Sequence, residues 1–332
     1  MKDLIKQIGQ LFLIGYPGEI PSPVFLDFLS EVQLGGVILF ESNCPTYEIA
    51  AENIQRIKLH SRGIPPLIAI DQEGGRVCRL KGAPAEYRSA KSYGSTDDLE
   101  HFVEDYSRSA LFMDSIGINL NLAPVADIFL NEGNDCLKKR CYGTSARQVA
   151  KFVEAAVTTS KRNRLLCCLK HFPGLGAAVA DPHVQTPSAD YSEMIWHQRE
   201  RVPFVAGLEK GADLIMTTHL KLPKIDDKIV TGSEKIIRSM LRQTLAFDGP
   251  VVSDDLTMEG AAELGGIGER TVAAFNAGHD LLLFGQDLEA SMQAYDFFVN
   301  ACEHGEIDEN RLETSLSRIS GIKFKLESSV VR

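Results

Sequence analysis

Short apolar runs alternate along this chain with longer segments in which apolar residues recur every three or four positions. Each run is almost continuously apolar, which is typical of strands that are buried on both faces. The predicted strands span residues 11–14, 36–40, 67–70, 118–123, 165–169, 213–217, 250–253 and 280–284.

The longer segments have helical periodicity, and six of them lie between the strands. The predicted helices span residues 46–61, 97–115, 146–162, 192–210, 232–245, 263–277, 288–303 and 308–327. Because strands that alternate with helices pair in parallel, the pattern predicts an α/β fold.

Eight such units in 332 residues predict a (β/α)8 TIM-type barrel. A doubly wound open sheet is the alternative, but it usually carries a Gly-x-Gly-x-x-Gly turn after its first strand. Here the first strand ends in Gly15-Tyr16-Pro17-Gly18, which lacks that spacing. With no linker or composition shift, we predict a single catalytic domain over residues 1–332.

The composition of the chain disfavours some classes of binding partner. The chain is 44% hydrophobic and 24% charged, as in ordinary globular proteins, and its net charge of −10 disfavours nucleic acid or an anionic membrane. No apolar run is long enough to span a bilayer, the N-terminus lacks a signal-peptide pattern, and the seven cysteines lack zinc-site spacing. We therefore expect a cytoplasmic monomer without a metal or cofactor.

Ionisable residues cluster where the predicted strands end. Asp71-Gln72-Glu73-Gly74-Gly75-Arg76 follows the third strand, Lys170-His171 the fifth, His219 the sixth and Asp254 the seventh. In a barrel, these ends converge on the face that carries the active site. The alternative for a lone strand-end aspartate, such as Asp255, is a helix cap.

A glycine-rich loop follows the fifth strand and carries Asp181-Pro182-His183. In a loop, the carboxylate of Asp181 can reach a ring nitrogen of His183. Lys170 and His171 would be costly to bury without partners, so we interpret all four residues as functional.

The segment Lys-His-Phe-Pro-Gly-x-Gly-x4-Asp-x-His at 170–183 resembles the signature of family 3 glycoside hydrolases, and specifically of their bacterial β-N-acetylglucosaminidase branch. Asp71 to Val77 is similar to the family's segment after an early strand, and Ser253 to Met258 to its nucleophile segment. Arg140, within the segment 139–143, aligns with a substrate-binding arginine.

The resemblance implies a retaining mechanism in which Asp254 is the nucleophile, His183 the acid/base and Asp181 its partner. It also implies an exo-acting enzyme that removes GlcNAc from GlcNAc–anhydro-muramyl fragments in peptidoglycan recycling. The residues expected to bind the sugar are Asp71, Arg79, Arg140, Lys170, His171 and His219.

Leu175 stands where many relatives have histidine, and Pro182 where a small polar residue is common. We therefore expect loop closure to differ from that of relatives, while the reacting groups stay intact. One alternative is a phosphorylase, in which phosphate replaces water. A second is a metal-dependent barrel hydrolase with His171, His183, His219, Asp71 and Asp254 as ligands, although the expected His-x-His pair is absent. A third is a catalytically inert sugar-binding protein.

Overall fold

The strands of the central sheet follow the predicted apolar runs. In the computed structural model, residues 2–82, 84–179 and 186–328 are described. The eight sheet strands within those ranges are β1 Phe12–Ile14, β2 Gly36–Leu39, β3 Leu67–Ile70, β4 Leu120–Asn121, β5 Leu166–Phe172, β6 Leu214–Thr217, β7 Val251–Val252 and β8 Leu282–Phe284.

All neighbouring strands of this sheet are parallel, in the order β7-β6-β5-β4-β3-β2-β1-β8. Strand β1 pairs with β8 through Phe12 and Leu282, and a parallel bridge from Val252 to Leu281 joins the two ends of the sheet. The predicted (β/α)8 barrel is therefore confirmed. That the whole chain is one domain stays a prediction.

Helices cover the outside of the barrel. They are α1 Lys2–Ile5, α2 Pro23–Val32, α3 Tyr47–His60, α4 Ala90–Thr96, α5 Leu99–Ile116, α6 Ala146–Arg162, α7 Glu193–Gln198, α8 Arg201–Glu209, a π-type helix Lys235–Thr244, α9 Ile267–Ala277, α10 Leu288–Glu303 and α11 Glu309–Ser328. In the described part of the chain, none of these helices has the length and apolar character needed to cross a membrane.

Side-chain caps fix where several helices begin. Helix α6 begins after Ser145, whose hydroxyl accepts from the amide of Gln148 at 3.3 Å, and α10 begins after Asp287, which accepts from Ala290 at 3.0 Å. Such caps satisfy amide groups that have no partner in the first helical turn. The predicted bounds of both helices are confirmed.

The helices differ from the prediction in several places. The short helices α1 and α4 were not predicted. Helix α2 was not predicted, although Ser22 caps it by accepting from Phe25 at 3.2 Å and a proline occupies its first turn. The predicted helix 192–210 is two helices, α7 and α8, separated at Arg199 and Glu200. Pro203 has no N–H to donate to the carbonyl of Arg199, so one continuous helix could not keep its hydrogen bonds.

Short antiparallel hairpins extend two strand ends at the carboxyl face of the barrel. Gln72–Gly74 pairs with Val77–Cys78 after β3, and Lys221–Leu222 pairs with Asp226–Ile229 after β6. The barrel strands themselves are buried along their length. A rigid barrel thus presents these irregular segments on the face where its strands end.

Candidate active site

A cavity of about 370 Å³ lies at the carboxyl ends of the barrel strands. Apolar side chains, among them Phe40, Leu122 and Met216, form part of its wall. Six of the residues expected at the site also line it: Asp71, Arg79, Arg140, Lys170, His171 and Asp254. The convergence expected from the sequence is therefore observed for residues that lie up to 183 positions apart in the chain.

A buried ionic network forms one wall of the cavity. The Lys170 ammonium lies 2.6 Å from Asp71 Oδ1 and 2.5 Å from Glu73 Oε1, and its side chain is 2% exposed. Arg140 donates to both carboxylate oxygens of Glu73, at 2.8 and 2.9 Å. Arg79 reaches Asp71 Oδ2 at 3.5 Å. Glu73 thus joins two substrate-binding candidates that the sequence analysis treated separately.

These pairings change the acidity of the buried groups. Burial alone would raise the pKa of the Asp71 carboxyl, but the positive charges of Lys170 and Arg79 outweigh it and hold that pKa below its usual value. The pKa of Glu73 is likewise lowered, because Arg140 and Lys170 overcome the effect of burial. Both carboxyls therefore remain ionised acceptors at neutral pH.

The hairpin after β3 holds Asp71 and Glu73 in place. The side chain of Gln72, which is fully buried, accepts from the amides of Arg79 and Leu80 at 2.9 and 3.1 Å. At the turn, Gly74 has φ +84°, and a Cβ there would lie 2.4 Å from the carbonyl oxygen of residue 88. Glycine is required at this position for both reasons.

Asp127 is a site residue that the sequence analysis missed. It is buried and accepts from His171 Nδ1 at 2.7 Å, from the His171 amide at 3.2 Å and from the Leu175 amide at 2.6 Å. On the other side of the ring, Arg140 Nη2 lies 3.3 Å from His171 Nε2. This arrangement assigns the proton to Nδ1, with Nε2 accepting from the arginine.

Asp254 lies two residues after the end of β7, at the cavity. Its Oδ1 accepts from the Asp255 amide at 2.9 Å. Asp255 is not only a local cap, because its Oδ1 accepts both from the Thr257 amide and from the Gly285 amide beyond β8, each at 2.9 Å. Burial raises the pKa of the Asp255 carboxyl. The turn that carries Asp254 is thus tied to the neighbouring strand end.

His219 lies next to the turn that carries Asp254, and its role in substrate binding stays a prediction. It is fully buried and is not among the residues that line the cavity. Its Nδ1 lies 2.6 Å from Thr231 Oγ1, and its Nε2 lies 2.9 Å from the Asp255 carbonyl oxygen. The ring therefore contacts the turn that carries Asp254.

The dyad residues Asp181 and His183, together with Pro182, lie outside the described residues. On the side that precedes them, Leu175 is 1% exposed and lines the cavity. On the side that follows, Thr186 Oγ1 donates to the Gly260 carbonyl at 3.2 Å. Leu175 therefore lies at the cavity, and Thr186 is bonded to the segment that follows the cavity residue Met258.

Among the described residues, the cavity is distinct from a wider groove on the outer surface, and no metal-binding cluster is present. In residues 2–82, 84–179 and 186–328, no three histidine, cysteine or acidic side chains form a group that could hold a metal ion. A wider groove of about 1000 Å³ lies outside the barrel against α5, α6 and α8, and none of the expected site residues lines it.

The glycosyl hydrolase family 3 N terminal domain matches residues 4–322 of this sequence. The chain belongs to glycosyl hydrolase family 3. The family resemblance inferred from the sequence motifs is therefore confirmed, and the protein is a glycoside hydrolase.

Individual members of family 3 resemble the chain over most of its length. A β-hexosaminidase of Xanthomonas axonopodis pv. citri (strain 306) is 33% identical over 82% of this chain and 83% of its own. The solved family 3 β-N-acetylglucosaminidase from Paenibacillus sp. str. FPU-7 superposes with a TM-score of 0.94 at 31% identity, over 98% of this chain and 62% of that one. The chain thus spans less than two thirds of the Paenibacillus protein.

A third similar protein has nearly the same length. The β-N-acetylhexosaminidase from Beutenbergia cavernae DSM 12333 has a TM-score of 0.88 at 26% identity, and the match covers 96% of this chain and 98% of that one. The barrel is therefore similar both to a longer protein and to one of nearly equal length.

Proposed function

We propose that this family 3 hydrolase is a retaining, exo-acting β-N-acetylhexosaminidase that removes a terminal non-reducing GlcNAc residue. The observation that carries the proposal is the single cavity shared by Asp254 and the network of Asp71, Glu73, Arg140 and Lys170. At about 370 Å³ it is at the small end of the range for small-molecule sites, which suits one sugar ring.

The first chemical step forms a glycosyl-enzyme. An oxygen of Asp254 attacks the anomeric carbon as the bond from that carbon to the leaving oxygen breaks. His183, paired with Asp181, gives its proton to the leaving oxygen, which departs as an alcohol. An imidazole suits this role because its unperturbed pKa is near neutrality.

The second step reverses these roles with water. His183 takes a proton from the attacking water, whose oxygen bonds to the anomeric carbon as the bond to Asp254 breaks. Two displacements at the same carbon return it to its starting configuration. The enzyme is then restored with Asp254 ionised and His183 protonated.

The ionic network supplies the groups that bind the sugar. The Asp71 carboxylate can accept from sugar hydroxyls, while Arg79, Arg140 and Lys170 can donate to hydroxyl or amide oxygens. Because the network is buried and internally paired, its donors and acceptors are positioned before substrate arrives.

The natural substrate and location are part of the same proposal. We assign the activity to GlcNAc–anhydro-muramyl fragments of peptidoglycan recycling in the cytoplasm. The similarity to bacterial β-hexosaminidases supports the sugar, and the narrow cavity supports short fragments over intact polymer.

Release of nitrophenol from 4-nitrophenyl β-N-acetylglucosaminide tests the activity. Wild type, Asp254→Asn and His183→Ala are compared with the control Asp248→Asn, whose side chain is 90% exposed and precedes the opposite end of β7. We expect turnover in wild type and the control, and a loss of at least about 1000-fold in Asp254→Asn, since it removes the nucleophile.

Two results of this assay would contradict the proposal, and one added reagent distinguishes hydrolysis from phosphorolysis. Full activity of Asp254→Asn would contradict the nucleophile, and no turnover by wild type would contradict the substrate. Addition of phosphate at constant ionic strength separates hydrolysis from phosphorolysis, because only a phosphorylase would release GlcNAc 1-phosphate.

A further inference from the structure

Arg76 differs from the other cations at the cavity. Arg79, Arg140 and Lys170 each pair with Asp71 or Glu73. Arg76 also lines the cavity, but among the described residues its side chain has no carboxylate partner. One cation is thus left to interact with a bound molecule.

A backbone carbonyl holds Arg76 in place. Its Nη2 donates to the carbonyl oxygen of Cys136 at 2.7 Å, and Arg140 Nη1 donates to the same oxygen at 3.2 Å. Two guanidinium groups therefore meet at one oxygen, yet only Arg140 is neutralised by a carboxylate. A guanidinium has five N–H donors, so most of those of Arg76 remain available.

The four cations are buried to different depths, so the inner ones can bind the sugar and the outermost one can bind the leaving part of the substrate. Side-chain exposure rises from 2% for Lys170 to 9% for Arg140 and 23% for Arg79, and Arg76 is more exposed still. Arg76 follows the two-glycine turn at the tip of the hairpin, at the mouth of the cavity. The sugar ring enters first, so the remainder of the substrate lies at this mouth.

We propose that Arg76 binds an anionic group, a carboxylate, on the leaving part of the substrate and thereby sets the preference of the enzyme for acidic aglycones. This inference rests on the proposed function. A planar guanidinium matches a carboxylate through two parallel hydrogen bonds. Because the chain carries a net charge of −10, an anionic substrate gains attraction only from a local cation of this kind.

The test compares two substrates that differ in one charge. One is 4-nitrophenyl β-N-acetylglucosaminide with a carboxylate on the phenyl ring, and the other is its methyl ester. We expect wild type to prefer the acid in kcat/KM by about fivefold, as for a partly exposed ion pair, and Arg76→Gln to lose that preference while retaining activity on the ester. Arg76→Lys should keep part of the preference.

The control is Lys138→Gln, which removes an exposed cation that does not line the cavity. It should keep the wild-type preference, and 1 M salt should reduce that preference by screening. An equal preference in wild type and Arg76→Gln would overturn the inference. So would phosphate activation that depends on Arg76, because the arginine would then bind the acceptor. If wild type cleaves neither substrate, the proposed function fails instead.

Discussion

Removal of the charge of Glu73 tests the buried network that forms the cavity wall. Two carboxylates, Asp71 and Glu73, face three cations in this network, and the substitution Glu73→Gln leaves Arg140 without a carboxylate partner. Each ion pair at about 4 Å contributes about 4 kcal/mol at an effective dielectric constant of about 20. Glu73 makes two such pairs, and the cost of burying its own charge offsets part of their stabilisation.

We therefore expect Glu73→Gln to lower the free energy of unfolding in urea by about 3–5 kcal/mol, as is found when one partner of a buried pair is removed. Glu41→Gln is the matched control, because Glu41 pairs with Lys81 at the surface, where both side chains are more than half exposed. That change should lower the same free energy by less than about 1 kcal/mol.

The comparison of the two glutamate variants also shows which result would contradict the role of Glu73. If Glu73→Gln and Glu41→Gln destabilise the protein equally, the network at the cavity does not depend on Glu73. The double variant Glu73→Gln/Arg140→Met should recover part of the loss, because it removes the cation left without a partner. No recovery would show that Arg140 is held by other contacts.

Two further predictions concern other buried charges. Asp127→Asn should lower kcat/KM by about 10- to 100-fold, because a charge-assisted bond to His171 contributes about 1.5–3 kcal/mol. The control Asp135→Asn, at an exposed side chain, should leave kcat/KM unchanged. An unchanged kcat/KM in Asp127→Asn would contradict the role of Asp127 in positioning His171. Burial lowers the pKa of Lys323, in α11, from 10.5 to about 7. Between those pH values Lys323 is protonated in the unfolded chain but not in the folded one, so its contribution to stability should rise by about 1.4 kcal/mol per pH unit. In urea unfolding, the difference in stability between wild type and Lys323→Met should change with that slope, and a difference that stays constant with pH would refute the assignment.

The strand pattern could be predicted because it is set by local composition. Strands of a parallel barrel are buried on both faces, so each appears in the sequence as an apolar run. Helix α2 was missed because the residues after the first strand were considered only for a dinucleotide-binding glycine pattern. The signal that could have found it is the pair Ser22-Pro23, a cap followed by a helix-starting proline.

Part of the site depends on contacts between distant residues. Asp127 lies 44 positions before His171 in a stretch with no regular helix or strand, so nothing local indicated their hydrogen bond. Glu73 lies within a recognised motif, but its pairing with Arg140, 67 positions away, follows only from the barrel. The hydrogen bonds of His219 to Thr231 and to the Asp255 carbonyl likewise follow only from the fold, because a strand-end position does not specify which groups the side chain meets.

Trapping of the covalent intermediate tests the central claim most directly. Incubation with a slowly hydrolysed fluorinated N-acetylglucosaminide, followed by peptide mass analysis, locates the sugar on the chain. The account predicts one label, on Asp254, and none in Asp254→Asn. A label on another residue, or a product of inverted configuration with no label, would contradict it.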